Sequence, residues 1–479
     1  MLRLDSKERA DLWRQVAQII EDYVEHVEEL PVDSRARPAD VKAFLSAIDF
    51  DRPWSPEQAL DFVAEGARRF HVHNSSSRYF GLFVPPPTTM GIAGDMLTSA
   101  FNLVLGGWAL SPFGVELERL LIQKLAAKFG YAPEHADGLF TAGGTEANHT
   151  ALLCALHALS PAIREHGLAA FGKQPLVYAS RETHHSIHKV AMACGLGLNA
   201  VREIDVDRSF RMDADHLESA IKSDKANGKC PCMVVATVGS TNAGAIDPLP
   251  RIAEIAKRNS LWFHADAAWG GAAVLVPELR SFATGIETAD SITFDVHKWL
   301  AVPMTAGIFV TRHHDVLQRT FNVSGPYMPS AASDAAIDPF RHSMQWSRPC
   351  RGLKVLLSFA VSGWQGHEKA IREQVRIGTV MRAQLERSGW SVVNDTPLPL
   401  VCFQDGTSPA GRSRAFLDDV CRNVLDSGRA WLSVTNLAGQ VPALRACVTS
   451  FLTQEKDIQE LIEVLDHARS TARTKLTGS

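Results

Sequence analysis

With 479 residues, 46% of them apolar and 21% charged, the chain is long enough for two or three domains and a large core. A net charge of −4 with no basic stripe argues against a nucleic-acid or membrane-surface binder. No apolar run reaches the roughly 18 residues of a membrane span.

Residues 1–13 are charged, with no apolar signal core, and the eight cysteines are scattered. Reduced thiols in a cytoplasmic protein are therefore expected. Residues 1–75 read as a helical arm, with helices over 10–29, 38–48 and 55–70, the last started by Ser55-Pro56. The arm has little core of its own, so it is expected to pack on the main domain or on a partner subunit. A Pro- and Gly-punctuated loop follows at 80–92. Helix then returns over 93–129, broken at Ser111-Pro112-Phe113-Gly114.

Between 138 and 312 the pattern changes. Short apolar runs at 139–141, 175–179, 199–204, 233–237, 261–265, 291–294 and 307–311 read as strands. Helical stretches at 145–159, 214–225 and 249–259 separate several of them. Such alternation predicts a mostly parallel α/β sheet covered on both faces, with ligands at the carboxyl ends of its strands. The large domain is placed at 76–350. Residues 313–345 are loop-rich around Gly325-Pro326-Tyr327. From 351 a long helix leads to a small α+β domain, 351–479. Its strands are expected at 398–403, 430–434 and 443–448, and its helices at 412–426 and 454–470.

Four strand ends carry chemistry. Thr141-Ala142-Gly143-Gly144-Thr145-Glu146-Ala147-Asn148 joins a strand to a helix; its glycines and the helix amides suit a phosphate, although a plain turn with Thr145 as cap fits too. Thr183-His184-His185-Ser186-Ile187-His188 offers a ring to stack on a flat cofactor. His184 and His188 have a metal-like spacing but no third ligand, so no metal is expected. Asp266 ends a buried strand, where a carboxylate needs a cation such as a pyridinium, unless it caps a helix. In Asp295-Val296-His297-Lys298-Trp299-Leu300, a lysine among apolar residues suits a Schiff base, or equally a strand-end lysine snorkelling to solvent.

Together these motifs closely resemble the group II pyridoxal-phosphate decarboxylases, which act on aromatic amino acids, histidine, glutamate, cysteine sulfinate or diaminobutyrate. The resemblance spans about 75–450. It implies a fold-type I transferase with a seven-stranded sheet, pyridoxal 5′-phosphate as cofactor, and a homodimer with active sites at the interface. By motif, Gly143, Gly144 and Thr145 are implied to hold phosphate, with Ser240 or Thr241 nearby. His184 is implied to stack on the ring, Asp266 to pair with its nitrogen, and Ala268 to pack against it. His297 is implied on the phosphate side, and Lys298 as the Schiff-base lysine.

One departure matters. Where the family carries a loop tyrosine, this chain has Phe340, and Tyr327 lies earlier in the same loop. The implied reaction is decarboxylation of an L-amino acid to its amine; an oxygen-dependent aldehyde synthase is the close alternative. Gly91-Ile92-Ala93-Gly94-Asp95-Met96 is similar to the acidic-substrate branch, but Tyr79-Phe80-Gly81-Leu82-Phe83 suggests an apolar or aromatic pocket. Phe80, Phe83, Gly106 and Trp108 are the expected pocket residues. A carbon–carbon lyase of the same fold and a silent binding homologue complete the alternatives.

Overall fold

The computed structural model describes residues 3–323, 325 and 336–477. Its centre is a seven-stranded sheet: β1 (Asp137–Thr141), β2 (Pro175–Ser180), β3 (Val201–Ile204), β4 (Cys230–Thr237), β5 (Trp262–Asp266), β6 (Ser291–Asp295) and β7 (Gly307–Thr311). The strand order is β1-β7-β6-β5-β4-β2-β3, and β7 alone runs antiparallel to its neighbours. Strands β2, β5, β6 and β7 are buried throughout. A strand covered on both faces reads as a continuous apolar run, which is the pattern these segments carry. Register brings Thr237, Asp266 and Thr293 level at the carboxyl ends.

Gly307 is required where β7 passes the turn after β1. A Cβ there would lie 2.5 Å from Gly143 Cα and 2.6 Å from Asp295 Oδ1. The close approach brings Gly143 and Asp295 together at one strand end.

The helix expected over 93–129 with a break at 111–114 forms Thr89–Phe101 and Pro112–Lys128, so the break falls earlier, over 102–111, and Pro112 starts the second helix. The first stops at Asn102, in the left-handed region at φ +52°. Val104–Leu105 then pairs with Arg348–Pro349, a contact across about half the chain. Strand β3 starts later than expected because Leu198–Ala200 forms a 3-10 turn.

Beyond the helix Gly352–Arg387, kinked at Gly363 (φ +61°), lies a four-stranded antiparallel sheet. It comprises Trp390–Val392, Leu400–Asp405, Ser433–Leu437 and Val441–Cys447, and it packs on helices Arg414–Asp426 and Glu455–Thr477. Sequence patterning missed Trp390–Val392 and set the 433–437 strand three residues early. Phe80 belongs to this unit, which corrects its expected place in a substrate pocket. Its N–H donates to Trp431 O (2.9 Å) and its C=O accepts from Cys447 N (3.0 Å). Its ring is fully buried in the small-sheet core.

The arm helices Ser6–His26, Pro38–Leu45 and Pro56–Phe70 start where capping chemistry says they should: Asp5 and Ser55 each form a capping box. None of the three contains a buried residue. No helix among the described residues is long and apolar enough to cross a membrane.

Candidate functional site

A cavity of about 630 Å3 opens at the carboxyl ends of the parallel strands. Lys298 enters it from the turn after β6. Its Nζ sits 3.0 Å from Asp295 Oδ2. Asp295 is 2% exposed, and the same oxygen accepts from Gly144 N (3.1 Å). A carboxylate this deeply buried is tolerable only with cationic or N–H partners; here an ammonium and the start of a helix supply them. Its Oδ1 is buried with no hydrogen-bond partner.

Asp266 lines the cavity from the end of β5. Its Oδ2 accepts from Asn148 Nδ2 (2.9 Å) and its Oδ1 from Ala268 N (3.2 Å). His184 opens onto the cavity from the turn before helix Ser186–Ala193. Its Nδ1 accepts from Ser186 N (3.2 Å), which leaves the proton on Nε2. Desolvation lowers its pKa below the usual 6.5, against the opposing pull of Asp266, so the ring is neutral at neutral pH. His297 repeats the pattern. Its Nδ1 accepts from Ala306 N (3.2 Å), burial lowers its pKa, and Nε2 lies 3.8 Å from Asp295 Oδ2.

Gly143, Gly144 and Thr145 form the mouth of helix Gly144–Leu159, all three on the cavity wall. The helix start presents amide N–H groups and a partial positive charge to an anion. Of the expected hydroxyl pair, Thr241 lines the cavity and Ser240 does not. Ser240 is corrected for a plain reason: it is 1% exposed and its Oγ accepts from Ala245 N (3.1 Å) inside its own turn.

The structure thus brings together Gly143, Gly144, Thr145, His184, Thr241, Asp266, Ala268, His297 and Lys298, from segments spread over 155 positions. Phe83 stands behind this wall, stacked on Trp269 at 4.1 Å, with Lys298 Nζ 6.0 Å from its ring centre. Gly106, Trp108 and Phe340 form a separate group. Phe340 N donates to Gly106 O (2.9 Å), while Trp108 N donates to Asp338 Oδ1 (2.9 Å). Phe340 is 2% exposed, packed on Trp346, and does not line the cavity. Tyr327 lies outside the described residues.

Sequence reasoning missed Asn148 and Asp295. Both carried a signal: Asn148 is one helical turn past Gly144, and Asp295 is three residues before Lys298. Met304 and Met344, also on the wall, carried none. No three His, Cys, Asp or Glu side chains among the described residues form a metal-binding group.

The family described as pyridoxal-dependent decarboxylase conserved domain matches residues 50–405. Tryptophan decarboxylase 2 of Oryza sativa subsp. japonica is 28% identical over 472 residues, covering 96% of this chain and 94% of that one. A phenylacetaldehyde synthase of Arabidopsis thaliana is 26% identical over 481 residues, covering 98% and 97%. Among solved structures, Oryza sativa TDC with PLP and tryptamine superposes with a TM-score of 0.92 at 25% identity, covering 98% and 99%.

Proposed function

The chain belongs to the pyridoxal-dependent decarboxylase family, and from that premise we propose that it removes the α-carboxylate of an aromatic L-amino acid. The observation that carries this is the convergence of Lys298, Asp266, His184 and a helix N-terminus on one cavity.

The residues present fit pyridoxal 5′-phosphate. A helix mouth and the Nε2–H of His297 stand at one end of the cavity and suit a phosphate. Asp266, held by two donors, lies on the same wall as a candidate partner for a protonated ring nitrogen. When bound, the cofactor supplies an electron sink for the pair left behind as carbon dioxide departs. The Thr145 amide at the helix mouth, with Thr145 and Thr241 on the same wall, would hold the phosphate, while Gly144 N–H is given to Asp295 Oδ2 (3.1 Å). Asp266 would hold a proton on the ring nitrogen, which is what makes the ring an electron sink. His184 and Ala268, both on the cavity wall, would hold the ring between them. Lys298 Nζ, held 3.0 Å from Asp295 Oδ2, would anchor the cofactor through its aldehyde group.

The wall beyond these groups includes Trp269, Met304, Met344, Val190 and Ala193, which exclude water and suit a flat apolar side chain. Among the described residues the lining holds no arginine, and Lys189 is its one lysine besides Lys298. Relatives named for tryptophan and for phenylacetaldehyde support the same class. Assayed for carbon dioxide release with a panel of L-amino acids, the enzyme is expected to favour aromatic substrates over glutamate by about a hundredfold or more in kcat/KM, the scale of discrimination a buried polar mismatch produces. Preference for glutamate or cysteine sulfinate contradicts the proposal.

A second copy of the chain completes the site. Gly106, Trp108 and Phe340 stand together outside the cavity of the same chain, and the proposed dimer would bring that group toward the partner's. The arm exposes Trp13 (58%), Phe50 (94%) and Val63 (66%), more apolar surface than a free arm leaves in water. Deleting residues 1–70 should convert a dimer to monomer or aggregate in sedimentation, with loss of activity. A stable, fully active monomer excludes this assembly. All eight cysteines are free, which suits residence in the cytoplasm.

Phe340 favours a second outcome, oxygen-dependent release of an aldehyde, because it cannot donate the proton that amine formation needs at Cα. Under air, wild type should then yield aldehyde, ammonia and peroxide, and Phe340→Tyr should shift product toward amine. If Tyr327 is the acid, wild type makes amine and Tyr327→Phe slows it. An amine-to-peroxide ratio and rate unchanged in both variants removes both residues from this step.

A further inference from the structure

Behind Asp266 lies a buried polar chain that no step above uses. Asn148 is 1% exposed and His264 is fully buried. Asn148 Nδ2 gives both its hydrogens, one to Asp266 Oδ2 (2.9 Å) and one to Ser186 Oγ (2.9 Å). Its Oδ1 receives Thr293 Oγ1 (2.7 Å) and faces His264 Nε2 (3.0 Å). Further back, His264 Nδ1 meets Ser291 Oγ (2.8 Å), which accepts from Trp262 Nε1 (2.9 Å).

The proton positions in this chain follow from chemistry. A carboxylate at Asp266 demands the amide's NH2 side, so Oδ1 must face away, toward Thr293 and His264. His264 Nε2 then has to carry its proton, and Nδ1 is left to accept from Ser291. The imidazole is neutral, since burial pushes its pKa down to about 4. Every link therefore donates in one direction: Trp262 to Ser291, Ser291 to His264, His264 to Asn148, Asn148 to Asp266. Such aligned series polarise one another.

We infer that Asn148 is a positioning residue, the last link of a one-way donor series that holds the Asp266 carboxylate turned to the cavity. The inference rests on Asp266 being the partner of the cofactor's ring nitrogen. It places the phosphate mouth and the ring-nitrogen support on a single helix, since Asn148 sits one turn past Gly144.

The test is binding, not turnover. Cofactor-free wild type, Asn148→Ala, His264→Phe and Asp266→Asn are titrated with pyridoxal 5′-phosphate and with its 1-deaza analogue, in which C–H replaces the ring nitrogen. In Asn148→Ala the preference for the natural cofactor should fall by roughly tenfold or more, as for loss of a hydrogen bond to a charged group. Affinity for the analogue should stay unchanged. His264→Phe should move the same preference in the same direction by less, and it keeps the question answerable where Asn148→Ala does not fold. A preference equal to wild type in these variants overturns the inference, whether both ligands weaken together or neither does. Asp266→Asn separates the two levels. If it also leaves the preference untouched, the assignment of Asp266 itself is wrong. If it abolishes the preference while the Asn148 and His264 variants keep it, only the donor series is wrong.

Discussion

Lys298→Ala is expected to lower turnover by roughly a thousandfold or more, because one amine is asked both to anchor the cofactor and to exchange protons near the reacting carbon. Its place supports that double demand. Nζ lies at the cavity wall, 3.0 Å from Asp295 Oδ2 and 6.0 Å from the Phe83 ring centre, with its side chain 24% exposed. The fold should survive, since Lys298 fills no core volume and its backbone N–H bond to Asp295 O (3.2 Å) does not depend on the side chain. Asp295, however, loses its cation and is left with Gly144 N and His297 nearby. Carbon dioxide release at saturating substrate and cofactor, read beside the thermal unfolding midpoint, checks both statements. Turnover within tenfold of wild type removes Lys298 from its assigned place.

Asp266→Asn is the second large effect, an expected loss of about a hundredfold to a thousandfold in kcat, the scale for removing one preorganised electrostatic group. The substitution is nearly isosteric, so the strand end is kept. The amide no longer holds a proton on the ring nitrogen. One half of the site also turns hostile: Asn148 Nδ2 and Ala268 N both donate to the carboxylate, and an amide accepts from only one of them. KM should move far less than kcat, since the interaction strengthens as charge flows into the ring. Steady-state kinetics on cofactor-saturated protein decide it; near-normal kcat excludes the role.

The strand ends were legible in sequence because buried parallel strands leave an unmistakable signature, an apolar run stopped by one costly polar residue. Asp266 and the Asp295–Lys298 turn stood out for that reason, and the double glycine before helix Gly144–Leu159 stood out by its composition. What failed to show was whatever depends on distant partners. Phe80 sits in the small-sheet core because Trp431 and Cys447, more than 350 positions away, pair with its backbone. Ser240 and Thr241 are neighbours with the same functional group. Only the turn geometry decides that the Ser240 hydroxyl accepts from Ala245 N while Thr241 lines the cavity. Asn148 had the right spacing, yet its role is set by His264 and Asp266 on another strand. Met304 and Met344 reach the wall from loops whose sequence says nothing of where they turn.

The most direct measurement is reduction of the purified, cofactor-loaded protein with borohydride, followed by digestion and peptide mapping. The account predicts a single pyridoxyl-labelled peptide carrying the label on Lys298, and no label in Lys298→Ala treated alongside. A label on any other lysine, or loaded protein that yields no labelled peptide, contradicts it.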